Sequence, residues 1–291
     1  MSSKNKQRQT RKLIFTRLTS KIASTIVIII LIVLSFVTIY PVFFTANSSF
    51  KDPTQWSRSK FALPRPMYYE NYTIAWKRSM VLRTTLNSII VTCGGVILCF
   101  LVCILAAYSA TKLRFRGRDA IFIFIIASMM VPLQVILYPF FKIMSEFQLT
   151  DTYIGLILAY STFGISITVY QFSAYLKRIP NSLIEAAKID GASTLKIIFN
   201  IIVPVAKPVV VTASIINFSW MWNELLLPTM LIQGQKMQTV IVSLALMRGQ
   251  WGAFPTLISA GVIIGILPVS IVYFIAQNQI IKGMTTGSVS K

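Results

Sequence analysis

The stretch Glu185-Ala186-Ala187-Lys188-Ile189-Asp190-Gly191 sets two acids, one base and two small residues inside a chain that is otherwise apolar. Its chemistry is recognition, not bond making. Ser182 and Glu185 have the S-x-x-E spacing of a capping box, in which each side chain satisfies a free backbone N–H at a helix start. Gly191 supplies the stop, because helices end most easily in a left-handed turn at glycine. Pro204 closes an Ile-x-Val-Pro run begun at Ile201, since proline inside a helix forfeits a hydrogen bond. The spacing predicts two short helices joined by a bend, a shape that docks on a surface. Ala186 and Ala187 give the first helix a flank of low bulk that another protein can approach closely. Glu185 and Asp190 offer negative charge to a basic site, where losing one member of a desolvated pair costs about 2–5 kcal/mol. The competing reading is an amphipathic loop with Leu183, Ile184, Ile197, Ile198, Ile201 and Ile202 against lipid. Periodicity alone does not separate the two.

A second candidate is Glu224, the one acid deep in an apolar run. An intramembrane carboxylate is a functional-site candidate by default. Asn217, Trp220 or Met221, and Glu224 recur at helical spacing, with Asn223 beside them, and this face would line a translocation path. At about 1.5 Å per residue Glu224 stands roughly 25 Å from Lys207, near the far surface, where a helix-end acid that snorkels to water is the alternative. Catalytic chemistry finds little support. There is no histidine and no pair of carboxylates within a span. Cys93, Cys99 and Cys103 share one apolar stretch, which suits neither a disulfide framework nor a metal site. No G-x-x-x-x-G-K-[ST] loop occurs, so the chain is expected to bind no nucleotide itself, and no catalytic, cofactor or metal-binding residue is assigned.

The elements that must position these residues are membrane spans. Hydrophobic residues make up 55% of the chain and charged residues 12%, which describes an integral membrane protein. The net charge of +20 follows from lysine and arginine retained on the cytoplasmic side, so it does not imply nucleic acid. Residues 1–21 read as a basic cytoplasmic tail, followed by a six-span unit over 22–281 and a C-terminal cytoplasmic tail over 282–291. The spans are expected at about 22–44, 85–111, 120–141, 153–175, 207–230 and 255–281, with 45–82 a polar, aromatic loop at the membrane surface. Pro132 and Pro139 interrupt the third span and read as packing kinks. Gly261 and Gly265 in the sixth permit close packing within the subunit. Six spans put both termini inside, with eighteen basic residues on that side and ten outside. The first external loop is the exception to the positive-inside rule, with Lys51, Arg58, Lys60, Arg65, Lys77, Arg78 and Arg83. The Glu185 stretch then falls in the cytoplasmic connection 176–206.

At that spacing, E-A-A, three residues, G, nine residues and I-x-V-P, the stretch resembles the EAA loop of ABC importer permeases, with Val203 at the usual leucine. Trp222-Asn223-Glu224 and the tail Gly283-Met284-Thr285-x-Gly287-Ser288-Val289 are similar to the carbohydrate-uptake branch, whose maltose-type smaller permease has six spans. The resemblance implies an all-α permease with a cytoplasmic two-helix coupling loop between spans 4 and 5. Glu185, Ala186, Ala187, Asp190, Gly191 and Pro204 would dock on an ATPase, and Gly283, Thr285 and Gly287 would touch it again from the tail. It implies a second homologous permease, two ABC ATPase subunits that hold ATP and magnesium, an extracytoplasmic sugar-binding protein, and import of a sugar or oligosaccharide by alternating access. An ion-coupled secondary transporter or channel is the different class to weigh, but such proteins carry several intramembrane ionisable residues and here Glu224 is almost alone.

Overall fold

A computed structural model describes the backbone of residues 3–78, 81–250 and 254–288, and the side chains of 24–77, 81–247, 254–275 and 277. The described residues are helical with no strand. In order the helices are α1 (Ser3–Ser49), α2 (Pro53–Arg58), α3 (Glu70–Arg78), α4 (Val81–Lys112), α5 (Arg118–Ala127), α6 (Leu133–Glu146), α7 (Tyr153–Leu176), α8 (Asn181–Ile189), α9 (Thr194–Ile197), α10 (Val203–Val205), α11 (Lys207–Asn223), α12 (Leu226–Leu231), α13 (Val240–Gln250) and α14 (Pro255–Ser288).

Four stretches are long and apolar enough to cross a membrane unaided: Ser24–Ser49, Val81–Lys112, Tyr153–Leu176 and Pro255–Ile275. Six result only if two bent pairs each count as one span. Those pairs are Arg118–Met130 with Leu133–Glu146, bent by 108°, and Thr194–Val205 with Lys207–Asn223, bent by 83°. The third span is therefore not the kinked rod expected over 120–141. Val131, pushed out of the helical region by the proline after it, is extended at ψ 115°, and Pro132 is extended at ψ 133°, so the chain turns there. Pro139 sits inside α6 without ending it. The fifth span also differs from 207–230, because α11 ends at Asn223, where Glu224 becomes extended at ψ 127°. α1 exposes apolar side chains all round, from Ile26 to Phe43, as a helix facing lipid does.

The core forms where α4, α7 and α11 meet. Small residues let the backbones approach: a Cβ on Gly95 would lie 3.0 Å from Met221 Sδ and 3.1 Å from Tyr160 Cβ, and one on Gly164 would lie 2.7 Å from Asn217 Oδ1 and 3.1 Å from Cys99 Sγ. Buried polar groups then pair across the same contact. Asn217 Nδ2 donates to Thr168 Oγ1 at 2.8 Å and to Ala213 O at 2.9 Å, while Cys99 Sγ lies 3.6 Å from that threonine oxygen. The three cysteines are free thiols. Gly261 and Gly265 pack within the subunit, since a Cβ on either would fall within 2.7 Å of a Leu244 methyl on α13.

The segment after α1 is an ordered cap and not a plain loop. Lys51, only 1% exposed, donates to the carbonyls of Ser59 at 3.1 Å and Lys60 at 2.8 Å, with its ammonium 5.9 Å from the Trp56 ring centre. Asn71 Nδ2 donates to Ser49 O and Lys51 O, Asn47 Nδ2 to Ala62 O, and Gln55 Nε2 to Pro66 O. Asp52 caps α2 through the N–H groups of Thr54 and Gln55. The Thr54 hydroxyl and those N–H groups hold its carboxyl below the usual carboxylate range.

Candidate functional site: an outward loop and an intramembrane cavity

α8 is nine residues long and ends in a Schellman turn. The Ala192 N–H donates to Ala187 O at 2.9 Å and the Gly191 N–H to Lys188 O at 3.0 Å. Gly191 takes φ +76°, the left-handed conformation that costs other residues about 1–2 kcal/mol. The start is built differently from the expected capping box, which does not form. Pro180 occupies the N-cap position and makes no side-chain cap, so Ser182 lies inside the first turn, where it cannot adopt the extended backbone of a capping residue. The fastening comes from outside the loop: Lys112, the last residue of α4, donates to Ile179 O and to Asn181 Oδ1.

The two faces of α8 are sharply divided. Ile184 and Ala187 are buried at 5% and 6% exposure, whereas Ser182, Glu185, Ala186 and Ile189 face outward, Ile189 at 87%. Asp190 and Gly191 are exposed at the turn. Ala187 is thus packed into its own subunit and does not offer the low-bulk flank expected of it; Ala186 does. The lipid-facing alternative fails on the same geometry. Ile184, Ile197, Ile198 and Ile202 are buried in the protein core, Ile201 is half-buried, and only Leu183 of that set is exposed.

Beyond Gly191, Ser193 caps α9, accepting from the Lys196 N–H. A widened π turn over Ile198–Ile202 leads directly into α10, which contains Pro204. A proline ring clashes with the carbonyl four residues before it, and a widened turn relieves such crowding. The helix continues past Pro204 and breaks two residues later at Ala206, from which α11 departs. Tyr175 Oη, at the end of α7, donates to Val205 O and ties this break to the core. Gly283, Thr285 and Gly287 lie on the backbone of α14, but their side chains fall outside the described residues.

At the other end of α11 a cavity of about 910 Å³ opens against the broken third span. Asn217, Trp220, Asn223 and Glu224 all line it, so all four residues named from the fifth span come together there. Met221 is instead buried against Gly95 and Gly164. Glu224 is both a cavity residue and a cap, its Oε1 accepting from Leu226 N at 2.8 Å and Leu227 N at 3.2 Å, which starts α12. Ser128, Gln134, Thr162 and Ser166 add further polar groups to the lining, and the Ser128 and Ser166 hydroxyls bond each other. These four were not identified from the sequence. The bend at Pro132 brings Ser128 and Gln134 to α7, and Pro132 was the only signal that pointed there.

α11 joins the two features. It begins one residue after the loop and its last turns line the cavity, a run of seventeen residues or about 25 Å. Bent spans around a cavity of mixed polar and apolar lining, with a pinned two-helix loop at the far end of α11, suit a transport subunit. The family model described as "Binding-protein-dependent transport system inner membrane component" matches residues 100–286, and the chain belongs to that family. It is a multi-pass inner membrane component of a system that works with a binding protein. The chain is 30% identical over 260 residues to a probable starch degradation products transport system permease protein of Thermoanaerobacterium thermosulfurigenes, covering 89% of this chain and 94% of that protein. It is likewise 30% identical over 265 residues to a diacetylchitobiose uptake system permease protein of Streptomyces coelicolor, covering 89% and 86%. Its fold is similar to a chain in the crystal structure of a bacterial ABC transporter involved in the import of the acidic polysaccharide alginate, with a TM-score of 0.78 at 22% identity over 89% of this chain and 97% of that one.

Proposed function

We propose that this chain is one permease of an ABC importer for a sugar or oligosaccharide. It pairs with a second homologous permease and rests on two ATPase subunits, which bind ATP and magnesium. A solute-binding protein delivers substrate from outside, and both termini of this chain lie in the cytoplasm. The observation that carries the reading is the outward face of α8. Ser182, Glu185, Ala186 and Ile189 offer an acid, a small residue and a bare isoleucine on a helix whose other face is locked to the core. An exposed apolar side chain beside a carboxylate suits a partner pocket with a basic rim. Movement of that helix passes through the rigid Gly191 turn and the Ala206 break into α11, and so to Asn217, Trp220, Asn223 and Glu224. The cavity they line is the substrate path in this reading, with amide, hydroxyl and carboxylate groups for sugar hydroxyls and the Trp220 ring for a sugar face. Relatives named for starch products and diacetylchitobiose support the substrate class.

The test is purification of the chain with its neighbours, followed by reconstitution in liposomes. ATP-driven uptake by a complex containing ATPase subunits is the expected result. Uptake by this chain alone, driven by an ion gradient and indifferent to ATP, would overturn it.

A further inference from the structure

Positive charge gathers at the corner between α4 and α5. Arg114 and Arg116 are exposed there and Arg118 is half-buried. Lys177 approaches from the end of α7, its ammonium 5.6 Å from the Phe122 ring centre on α5. One acid shares the corner: Asp119 Oδ1 accepts from Arg118 Nε at 2.8 Å. That bond uses one of the five N–H donors of the guanidinium, and among the described residues Arg114, Arg116 and Lys177 are in no ion pair. Arg114 and Arg118 line a cleft of about 420 Å³ with Phe115, Gly117, Asp119 and Ala120. The cleft has room, since a Cβ added to Gly117 would meet nothing within 4 Å. Directly beyond it on α5, Ile121, Ile123 and Phe124 are apolar and exposed.

We propose that this cleft holds the phosphate headgroup of an anionic phospholipid of the cytoplasmic leaflet. The proposal rests on the importer reading for the side of the membrane on which the corner lies. Guanidinium donors match phosphate oxygens, and a bare apolar wall beside them suits acyl chains. The two parts together fit an amphiphile with an anionic head, whereas a soluble phosphate would use only the first. Anionic lipid is drawn to basic segments next to a membrane helix. The corner also adjoins the loop that carries α8. Lys112 fastens Ile179 and Asn181, and Lys177 stands three residues before Pro180, the N-cap of α8. A headgroup that draws Arg114, Arg118 and Lys177 together steadies the entry to α8, so the coupling of ATP hydrolysis to uptake depends on anionic lipid.

The experiment measures binding of phosphatidylglycerol and phosphatidylcholine to the purified, delipidated complex by native mass spectrometry. The wild type should bind phosphatidylglycerol about tenfold more tightly than phosphatidylcholine. R114Q/R116Q/K177Q should lose that preference, and R114K/R116K/K177R, which keeps the charges, should retain most of it. Equal binding of the two lipids by the wild type, or an unchanged preference in the glutamine variant, would overturn the site. Inorganic phosphate that binds as tightly and displaces the lipid would assign the cleft to a soluble anion and overturn the lipid. A benzophenone attached to R116C in a C93S background, which removes the other exposed thiol among the described residues, should capture lipid in the assembled complex. Capture of an ATPase subunit there would give the corner to that partner and overturn the proposal. In liposomes, uptake per ATP hydrolysed should fall when phosphatidylcholine replaces phosphatidylglycerol in the wild type, and should ignore the exchange in the glutamine variant. A ratio indifferent to lipid in both would overturn the link to α8. Lipid binding is read without ATP, so its outcome is separate from the failure of the importer reading, which would show as uptake indifferent to ATP.

Discussion

The loop around α8 and the cavity at the far end of α11 are joined by one helix but are held together in opposite ways. The loop is held by a glycine turn, two side chains buried against the core and the Lys112 bonds from α4, and it leaves an isoleucine and a carboxylate to solvent. The cavity is assembled from α6 and the turn before it, α7, α11 and α12, and its polar groups are largely engaged with one another or with the backbone. A surface that seats a partner keeps its binding groups free and its backbone fixed. A path that passes a polar substrate needs groups that exchange one hydrogen bond for another.

Substitutions should separate the two. The largest effect is expected from Glu185→Lys, which puts a like charge against a basic partner site. ATPase subunits should be lost from the purified complex, with about 2–5 kcal/mol of association energy forfeited, while the thermal stability of the permease stays unchanged. Gly164→Leu should do the reverse. Its Cβ would fall 2.7 Å from Asn217 Oδ1, and overpacking of this kind costs about 1–3 kcal/mol, so the melting temperature and uptake should fall while ATPase association persists. Asn223→Ala removes an exposed cavity amide whose Nδ2 donates to Ser219 O on its own helix. A lost substrate hydrogen bond of about 0.5–1.5 kcal/mol should raise the half-saturating substrate concentration about two- to tenfold, with ATPase association intact. Ser182→Ala should do least to stability. A true capping serine is worth about 1 kcal/mol, but this one makes no cap, so denaturation should shift by less than about 0.5 kcal/mol.

The same contrast explains what could be read in advance. The Gly191 turn was legible because a left-handed stop is a local requirement of one residue. The start of α8 was misread because Pro180 fixes the entry two residues before Ser182, and because the fastening comes from Lys112 on a distant helix. Asn217, Trp220 and Asn223 were legible as a set because they share one helix and recur every three residues, and Glu224 follows directly where that helix ends. Ser128, Gln134 and Ser166 were not, since they meet only through a 108° turn that a lone proline does not specify. Ala187 was assigned to the wrong face because the periodicity of α8 does not say which side meets the core. The cap after α1 was the least legible, because a single lysine in a polar loop reads as solvated, and only the folded chain shows Lys51 enclosed.

Cross-linking from α8 tests most directly whether this helix carries the motion of an ATPase. In the assembled complex, Ile189→Cys should form a covalent link to an ATPase subunit when treated with a short thiol-reactive cross-linker, and ATP should change its yield. Ala187→Cys, two residues away but buried in its own subunit, should not. Equal cross-linking at both positions, or none at Ile189 in a complex that still imports its substrate, would contradict the account.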